Sequence, residues 1–543
     1  MAHRKSKSGA GLSYEALIAT AGIDGLSSET ALERIGHLID QSHDLSRDDG
    51  TTRALEWCDA LAKRRLPAAR RATLSYFKAN AWANKVKLRH TKPAFRWRWE
   101  QPEVAQQILF LREALNSSGF DELHPARRCQ IFTNLGNQLN HVGRSAEALE
   151  YWSRALTIEP HFWMARGNRG SAFIDYAKAL YDRGHSAALL LTAHRDLTAA
   201  LASAASHPRF GYTEAAEAFA ERKAHVEVGL NVSQATKSIK FDGYELGGTS
   251  DEQHYRRWCL DHCLFLNPLN DLGPHSIAAR DVLMLPGFTT GIKEPPSIVG
   301  YFNQMKQEYA SARWLCYEGV HATELHFSDR GVGLINTLDY PSYSLAVEKV
   351  KAAYRIAYSL FDKAAFFLNT YMKLKMDPKR VSFRYVWHEA ANRAAPVRRK
   401  FETSENWPFR GLYWLSKDIF DEKFQETTEP DARALYEIRN HLEHKYLKVH
   451  EMRMPTASKR RAARAFTMDD MAYSVWRREF EENTLRVLKL SRAALVYLSL
   501  GMHREEQRRA ERRERPRKGT GKKPGSGLVV PIHLDPWDDE WKR

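Results

Sequence analysis

Small and large apolar residues between Phe132 and Pro160 occur in an order that is typical of a pair of packed helices. Gly136 lies in the first half of this segment, and Ala148 and Trp152, four residues apart, lie in the second half. A glycine and an alanine on facing helices let two backbones approach closely, and the indole fills the space beside them. Proline lacks the N–H that a continuing helix needs, so the second helix must end before Pro160. The segment predicts two antiparallel helices in close contact.

The same segment resembles a tetratricopeptide repeat (TPR), a helix pair that recurs about every 34 residues. The resemblance rests on Phe132, Leu135, Gly136, Leu139, Ala148, Trp152, Ala155 and Pro160. One period later, Gly170 and Phe173 repeat the signal of the first helix. We expect TPR-like helical repeats over residues 29–206, after a flexible N-terminus over residues 1–28. Stacked helix pairs form a concave groove, so the array should bind an unknown protein or ligand, with a scaffold role as the alternative.

Long helices are predicted in the second half of the chain. Apolar residues recur at steps of three and four at Val347, Val350, Tyr354, Ala357, Phe361, Ala364, Leu368 and Tyr371. A shorter helix is expected over residues 412–424, and Thr467 with Asp470 forms a capping box ahead of a final helix. The fold class is therefore all-α, with an up-and-down four-helix bundle over residues 301–503.

A segment rich in turn-forming residues separates the repeats from the predicted bundle. Pairs such as Pro286-Gly287 and Pro295-Pro296 predict an irregular connector over residues 207–300. After the bundle, residues 504–543 begin with a dense basic run, and we expect a basic C-terminal tail there.

The balance of charge favours a polyanionic partner. The chain carries 82 Lys and Arg against 66 Asp and Glu, a formal net charge of +16. Nucleic acid fits this charge better than a membrane, because the longest apolar run, residues 187–193, is far shorter than the roughly 20 residues that cross a bilayer. Five scattered cysteines fit a reducing cytoplasm.

Arg439 precedes His444 by five positions in a segment with helical periodicity. A histidine with a pKa of about 6.5 can accept the proton of a ribose 2′-hydroxyl at neutral pH. An arginine is always charged, and it can bind a phosphate and stabilise the negative charge that develops on it. The pair has the residue types needed to cut RNA without a metal.

One apolar stripe is predicted on this helix, formed by Leu435, Ile438, Leu442, Tyr446 and Val449. At about 100° per residue, Arg439 falls on the flank of the stripe, and Asn440 and His444 fall on the polar side. His444 should therefore point away from its own core. An ordinary solvated histidine is the alternative to a catalytic one.

A second group of candidate ligands lies in the connector. His254, Cys259, His262 and Cys263 are close in sequence, but their spacing matches no standard zinc motif. We expect no metal site there and no cofactor.

A bundle with Arg-x₄-His on its third helix, joined to TPR-like repeats, resembles the HEPN superfamily of ribonucleases. The stretches 360–363, 366–369 and 411–414 add to the resemblance. It implies a metal-independent endoribonuclease that works as a homodimer through the bundle, with two Arg/His sets in a shared cleft. His444 would act as base, Arg439 would stabilise the transition state, and Asn440 would position Arg439 or the phosphate. The products would be a 2′,3′-cyclic phosphate and a 5′-hydroxyl.

The resemblance also links such chains to bacterial defence and toxin systems, with the repeats as the regulatory part. In some HEPN toxins the residue corresponding to Tyr446 is a site of nucleotidylation, but its place on the predicted stripe favours a core tyrosine. A basic run close to the site, formed by Lys459, Arg460, Arg461 and Arg464, is a candidate RNA-backbone contact or a solvated surface. The competing hypothesis for the whole chain is a non-catalytic HEPN/TPR adaptor that binds RNA or a protein.

Overall fold

Helices make up nearly all of the regular structure. The computed structural model describes residues 13–20, 22–89, 93–206, 213–291, 297–337, 339–390, 392, 395–421, 424, 431–451, 472–514 and 529–532. Within these ranges no helix is long and apolar enough to cross a membrane.

Ten helices follow one another in the N-terminal part that the structure describes. They are α1 (Tyr14–Ala19), α2 (Ser28–Asp44), α3 (Asp48–Ala62), α4 (Ala68–Arg89), α5 (Pro93–Arg96), α6 (Pro102–Asn116), α7 (Pro125–His141), α8 (Ser145–Ile158), α9 (Trp163–Ala179) and α10 (Arg183–Ser206). From α6 to α10 each helix packs on the next, as in an array. The short connections between them make neighbouring helices antiparallel.

The helix pair predicted around Gly136 is α7 and α8. A Cβ at Gly136 would meet the indole of Trp152, so only glycine allows this approach. The second helix ends at Ile158, ahead of Pro160. The helical array is therefore present, while the assignment of its members as TPR repeats remains a prediction.

The predicted connector contains more helix than its turn signals indicate. It includes α11 (Thr213–Gly229), α12 (Val232–Ser238) and α13 (Ser250–Asp261), followed by short 3-10 turns at Pro268–Leu272 and Ser276–Ala278. Asp271 in the first 3-10 turn accepts a hydrogen bond at 2.7 Å from the buried Arg492 guanidinium of the last long helix. This segment therefore packs into the C-terminal half.

The C-terminal half adds further helices and four short strands. The elements are β1 (Phe288–Gly291), α14 (Ser297–His321), α15 (Leu345–Tyr371), α16 (Arg399–Glu402), α17 (Trp407–Phe420), α18 (Asp431–His444), β2 (Tyr446–His450), β3 (Ala472–Trp476), α19 (Arg477–Glu514) and β4 (Val529–Ile532). Helix α19 packs on α14, α15 and α17, and α14 packs on α15. Helix α18 packs on α15, α17 and α19. The predicted seam of α15 is confirmed, because all eight of its residues are buried.

The strands form two separate pairs. β1 and β4 are antiparallel, with Phe288 opposite Ile532. β2 and β3 are parallel, with Tyr446 opposite Ala472. Sequence periodicity did not indicate either pair, because strands of four or five residues are too short to establish an alternating pattern.

Residues 504–514, expected in the tail, continue α19 as helix. Pairs of opposite charge at helical spacing support this extension, including Arg508 with Glu505 and Arg509 with Glu506 at 2.7 Å. The Tyr371 hydroxyl of α15 also donates to Glu506 at 2.8 Å. The predicted capping box at Thr467 and Asp470 lies outside the described residues, and α19 begins at Arg477.

Helix α17 lies between the N-terminal array and the C-terminal helices. The Trp407 indole donates to the carbonyl of Asn140 at 2.8 Å, and the Trp414 indole donates to that of Trp99 at 3.0 Å. Gly143 has φ +94° and touches the backbone of Gly411, so it has no room for a side chain. One continuous apolar core extends from α4 to α19 across this contact.

Candidate active site

Helix α18 is held by its apolar face and by two donors from α15. Leu435, Ile438 and Leu442 are buried, as predicted. The Tyr354 hydroxyl donates to the carbonyl of Leu435 at 2.5 Å. The Arg355 guanidinium donates at 2.6 Å to the carbonyl of Leu442, one of the last carbonyls of α18. A cation at this end also complements the negative end of the helix dipole.

Arg439 is half-buried and oriented by its neighbours. Its Nη1 donates to the side-chain oxygen of Asn440 at 3.2 Å, and its Cζ lies 5.9 Å from the ring centre of Tyr358 on α15. Among the described residues no carboxylate forms an ion pair with Arg439. The guanidinium is thus positioned without being neutralised, and its remaining donors can bind an anion.

His444 is the last residue of α18, and its side chain is exposed. Five helical residues turn the chain by about 500° and raise it by about 7.5 Å, which leaves Arg439 and His444 about 140° apart around the axis. The structure therefore brings Arg439 and Asn440 together but leaves His444 on another side of the same helix. One copy of α18 does not gather both groups around a single small ligand.

His441, between them, differs from His444. It is buried, and its Nδ1 donates to the carbonyl of Glu437 at 2.8 Å. Its ring lies 5.3 Å from that of Tyr473 on β3. These contacts give His441 a packing role and leave His444 as the accessible histidine of α18.

Tyr446 and Val449 do not lie on the α18 stripe, contrary to the sequence prediction. The last backbone hydrogen bond that continues the helix runs from the Lys445 N–H to the carbonyl of His441, and the chain then enters β2. Pairing with β3 overrides the helical spacing, and β2 contains Tyr446 and Val449, residue types that favour strands. Val449 is buried on β2, whereas Tyr446 is only partly buried.

The Tyr446 hydroxyl shares a hydrogen bond with that of Tyr343 at the surface. The ammonium of Lys448 lies 5.3 Å from the Tyr446 ring and pairs with Asp339 at 2.7 Å. Both members of that ion pair are buried. Burial would raise the pKa of Asp339, but hydrogen bonds from Lys448 and Thr337 and the charge of Lys448 together lower it. The contacts fasten the segment before α15 to the strand that follows His444.

The predicted RNA-backbone contacts Lys459, Arg460, Arg461 and Arg464 lie outside the described residues. Other charged residues around Tyr358 were missed in the sequence. Arg384, in the loop after α15, and Arg439 act to lower the pKa of Tyr358, whereas Asp362 acts to raise it. No spacing rule connects Arg384 with Arg439, because they are far apart in the chain and come from different elements.

The candidate metal ligands of the connector make other contacts in the structure. Burial raises the pKa of both Cys259 and Cys263 to about 12. The Cys263 thiol donates to the carbonyl of Asn270 at 3.4 Å. The ring of His262 meets that of Trp258 edge-on, with centres 5.2 Å apart. Among the residues that the structure describes, no group of three His, Cys, Asp or Glu side chains is arranged to hold a metal.

Residues 289–505 match the family model described as LA2681-like HEPN. The match supports a HEPN-superfamily domain in this part of the chain, and it includes α18 with Arg439, Asn440 and His444. HEPN domains are commonly ribonuclease or nucleotide-binding domains. The matched region is less than half of the chain and leaves out the N-terminal array. No curated protein and no solved structure matches the chain.

Proposed function

We propose that this chain is a metal-independent endoribonuclease whose active groups are Arg439, Asn440 and His444. The observation that carries the proposal is the contrast on α18 between an oriented guanidinium and an accessible histidine. The first suits a group that holds a phosphate, and the second suits a base that must reach a ribose hydroxyl. Both lie in the region that matches the HEPN family model.

The proposed reaction needs no external cofactor. His444 takes the proton of the ribose 2′-hydroxyl, and the 2′-oxygen attacks the adjacent phosphorus. Arg439 stabilises the charge on the phosphate oxygens, while Asn440 holds the guanidinium. The bond from phosphorus to the 5′-oxygen breaks, and that oxygen takes up a proton. The products are a 2′,3′-cyclic phosphate and a 5′-hydroxyl.

A second copy of the chain supplies the missing half of the site in this proposal. The divergence of Arg439 and His444 on one helix supports it. A run of exposed apolar residues before α15 also supports it, because patches of this kind mark protein contacts. We call them the apolar segment: Leu325, Phe327, Val332, Leu334, Ile335, Tyr340 and Tyr343. The Ser342 N–H donates to the carbonyl of Val449 at 2.7 Å and anchors the end of the segment on β2.

The N-terminal array is proposed to regulate cleavage by binding a protein or ligand. Its packing on α17 gives a physical route to the active region, since α17 and α18 are in contact. By the HEPN resemblance, we place the enzyme in a defence or toxin-type system.

The test is RNA cleavage in excess EDTA by the parent, Arg439→Ala and His444→Ala. We expect each substitution to lower the cleavage rate about 100-fold or more, because a positioned acid–base group contributes about that factor. His161→Ala, an exposed histidine of the array, is the matched control and should cut like the parent. The ends should carry cyclic phosphate and 5′-hydroxyl groups.

Unchanged cleavage in both site variants, or loss of cleavage on chelation, would contradict the proposal. A parent that binds RNA with a steep salt dependence but never cuts it would favour the adaptor hypothesis.

A further inference from the structure

The loop after α15 packs on α15 next to Tyr358, the residue whose ring Arg439 contacts. The Phe383 N–H donates to Asp362 of α15 at 2.9 Å. The rings of Phe383 and Phe361 stack with centres 5.5 Å apart. These contacts hold the loop one helical turn beyond Tyr358. The positive charges of Arg439 and Arg384 both act to lower the pKa of Tyr358.

The hydroxyl of Tyr358 makes no hydrogen bond to the described residues. The side chain is 5% exposed, and its buried oxygen has no hydrogen-bond partner among the described residues. Burial raises the pKa of Tyr358, although Arg439 opposes the shift, so the hydroxyl keeps its proton at neutral pH. It is therefore a hydrogen-bond donor without an acceptor, which is uncommon for a buried polar group.

Arg384 also has a buried donor without an acceptor. It is half-buried, its Nε is buried without an acceptor in the described structure, and its guanidinium lies 5.3 Å from the ring of Tyr385. No carboxylate among the described residues pairs with it at ion-pair distance. Asp362 is the acidic group that faces Tyr358, and one of its oxygens already accepts the Phe383 N–H. The Tyr358 hydroxyl is thus influenced by one carboxylate and two guanidinium groups.

Unsatisfied donors and unpaired cations are costly when they are partly removed from water. A single ligand could satisfy Arg384, Tyr358 and Arg439 together if it carried negative charge and several acceptor oxygens. A phosphodiester has both, and guanidinium groups bind its oxygens in a bidentate manner. We propose that Arg384 and the Tyr358 hydroxyl, together with Arg439, bind a backbone phosphate of RNA. This inference rests on the proposed function, because it identifies further RNA contacts of the same site.

Binding to a short 2′-O-methyl oligoribonucleotide tests the inference without cleavage, because this probe has no free 2′-hydroxyl. We expect Arg384→Gln to weaken binding about tenfold and to reduce the slope of log affinity against log salt by about 0.7, the value for one lost contact to a single strand. Arg380→Gln is the matched control, since Arg380 is an exposed arginine at the end of a nearby 3-10 turn. It should bind like the parent.

Tyr358→Phe separates a ligand-binding role from a structural one. Removing a hydroxyl that has no partner should leave the melting temperature unchanged or raise it, while binding of the probe should weaken a few-fold. A lower melting temperature with unchanged binding would overturn the role of Tyr358. Equal affinities of Arg384→Gln and Arg380→Gln would overturn the phosphate site.

The two proposals fail in different ways. If Arg384→Gln loses affinity but the parent never cuts unmodified RNA, the phosphate site stands and the nuclease proposal falls. If the parent cuts RNA and Arg384→Gln cuts it with the same KM and kcat, the nuclease proposal stands and the phosphate site falls.

Discussion

Arg439 and His444 have different surroundings although they share one helix. Arg439 is half-buried against the Tyr358 ring and hydrogen-bonded to Asn440, which limits its rotamers. His444 ends the helix in solvent. A group that stabilises charge gains from a fixed orientation, whereas a base needs access to the substrate proton. The surroundings of each residue therefore fit the role proposed for it.

Asn440→Ala tests whether orientation of the guanidinium matters. We expect RNA cleavage to fall about tenfold or more, because a small misplacement of a charge-stabilising group is costly. The melting temperature should change little, because Asn440 is only half-buried and its bond to Arg439 is local. A kcat equal to that of the parent would show that Asn440 does not position Arg439.

The sequence predicted the buried residues of α18 correctly wherever helical spacing determines which side chains face the core. Leu435, Ile438 and Leu442 are buried as the period indicates. The period fails at Tyr446, because β3 pairs with the chain after His444 and local propensity gives way to that pairing. Arg384 was missed for a related reason, since the loop that carries it is positioned by Asp362 and Phe361 through tertiary contacts.

At the scale of elements, α18 separates the candidate side chains Arg439 and His444 by about 140°, so one copy of the helix does not direct both toward one small ligand. A two-fold assembly could supply Arg439 from one copy and His444 from the other. The buried pair of Lys448 and Asp339 joins the end of the apolar segment to β2, the strand that follows His444. We expect such an assembly to cover the segment.

Mixing two inactive variants tests whether the site is shared between copies. We expect an equimolar mixture of Arg439→Ala and His444→Ala, allowed to exchange subunits, to regain about a quarter of the parent rate, because half of the dimers are mixed and each has one intact site. Each variant alone remains inactive and serves as the control. A mixture no more active than its components, with subunit exchange verified by size or label transfer, would place Arg439 and His444 of each site in one chain.

At the scale of the whole molecule, the array and the HEPN-type region share one core. Asp418 of α17 accepts hydrogen bonds at 2.8 Å from Arg112 of α6, and it pairs with Arg144 as well. All three side chains are buried. Arg410 of α17 donates to the carbonyls of Arg96 and His141, at the ends of α5 and α7. A signal from the array would therefore travel through packed helices and not through a flexible tether.

Asp418→Asn should destabilise both halves of the molecule together. Loss of the carboxylate removes the charge that Arg112 and Arg144 share, although Arg144 keeps its ion pair with Glu147. Breaking a buried ion pair from one side costs about 3–5 kcal/mol of unfolding free energy. Urea unfolding followed by tryptophan fluorescence measures this loss. Asp175→Asn is the control, because Asp175 pairs with Arg222 on a half-exposed surface and should cost less than about 1 kcal/mol. Equal midpoints for the two variants would contradict the role of the buried pair.

The same contact gives the protein a predictable acid sensitivity. Burial would raise the pKa of Asp418, but Arg112 and Arg144 outweigh it and hold the pKa well below its usual range. Its contribution is therefore fully present above about pH 4, where the unfolded carboxyl is ionised, and is lost as the pH falls further. Asp418→Asn should lack this part of the acid dependence.

Sequence alone determined the properties that depend on short spacing. The helix pair around Gly136, the seam of α15 and the apolar face of α18 all follow from a period of about 3.6 residues, which the chain carries locally. Residue type and spacing identified Arg439 and His444 as candidates, and the HEPN resemblance added Asn440. Only the tertiary structure decided where α18 ends, which loop lies near Tyr358 and how α17 joins the array to the HEPN-type region. These features depend on contacts between residues far apart in the chain, and no local pattern encodes such contacts.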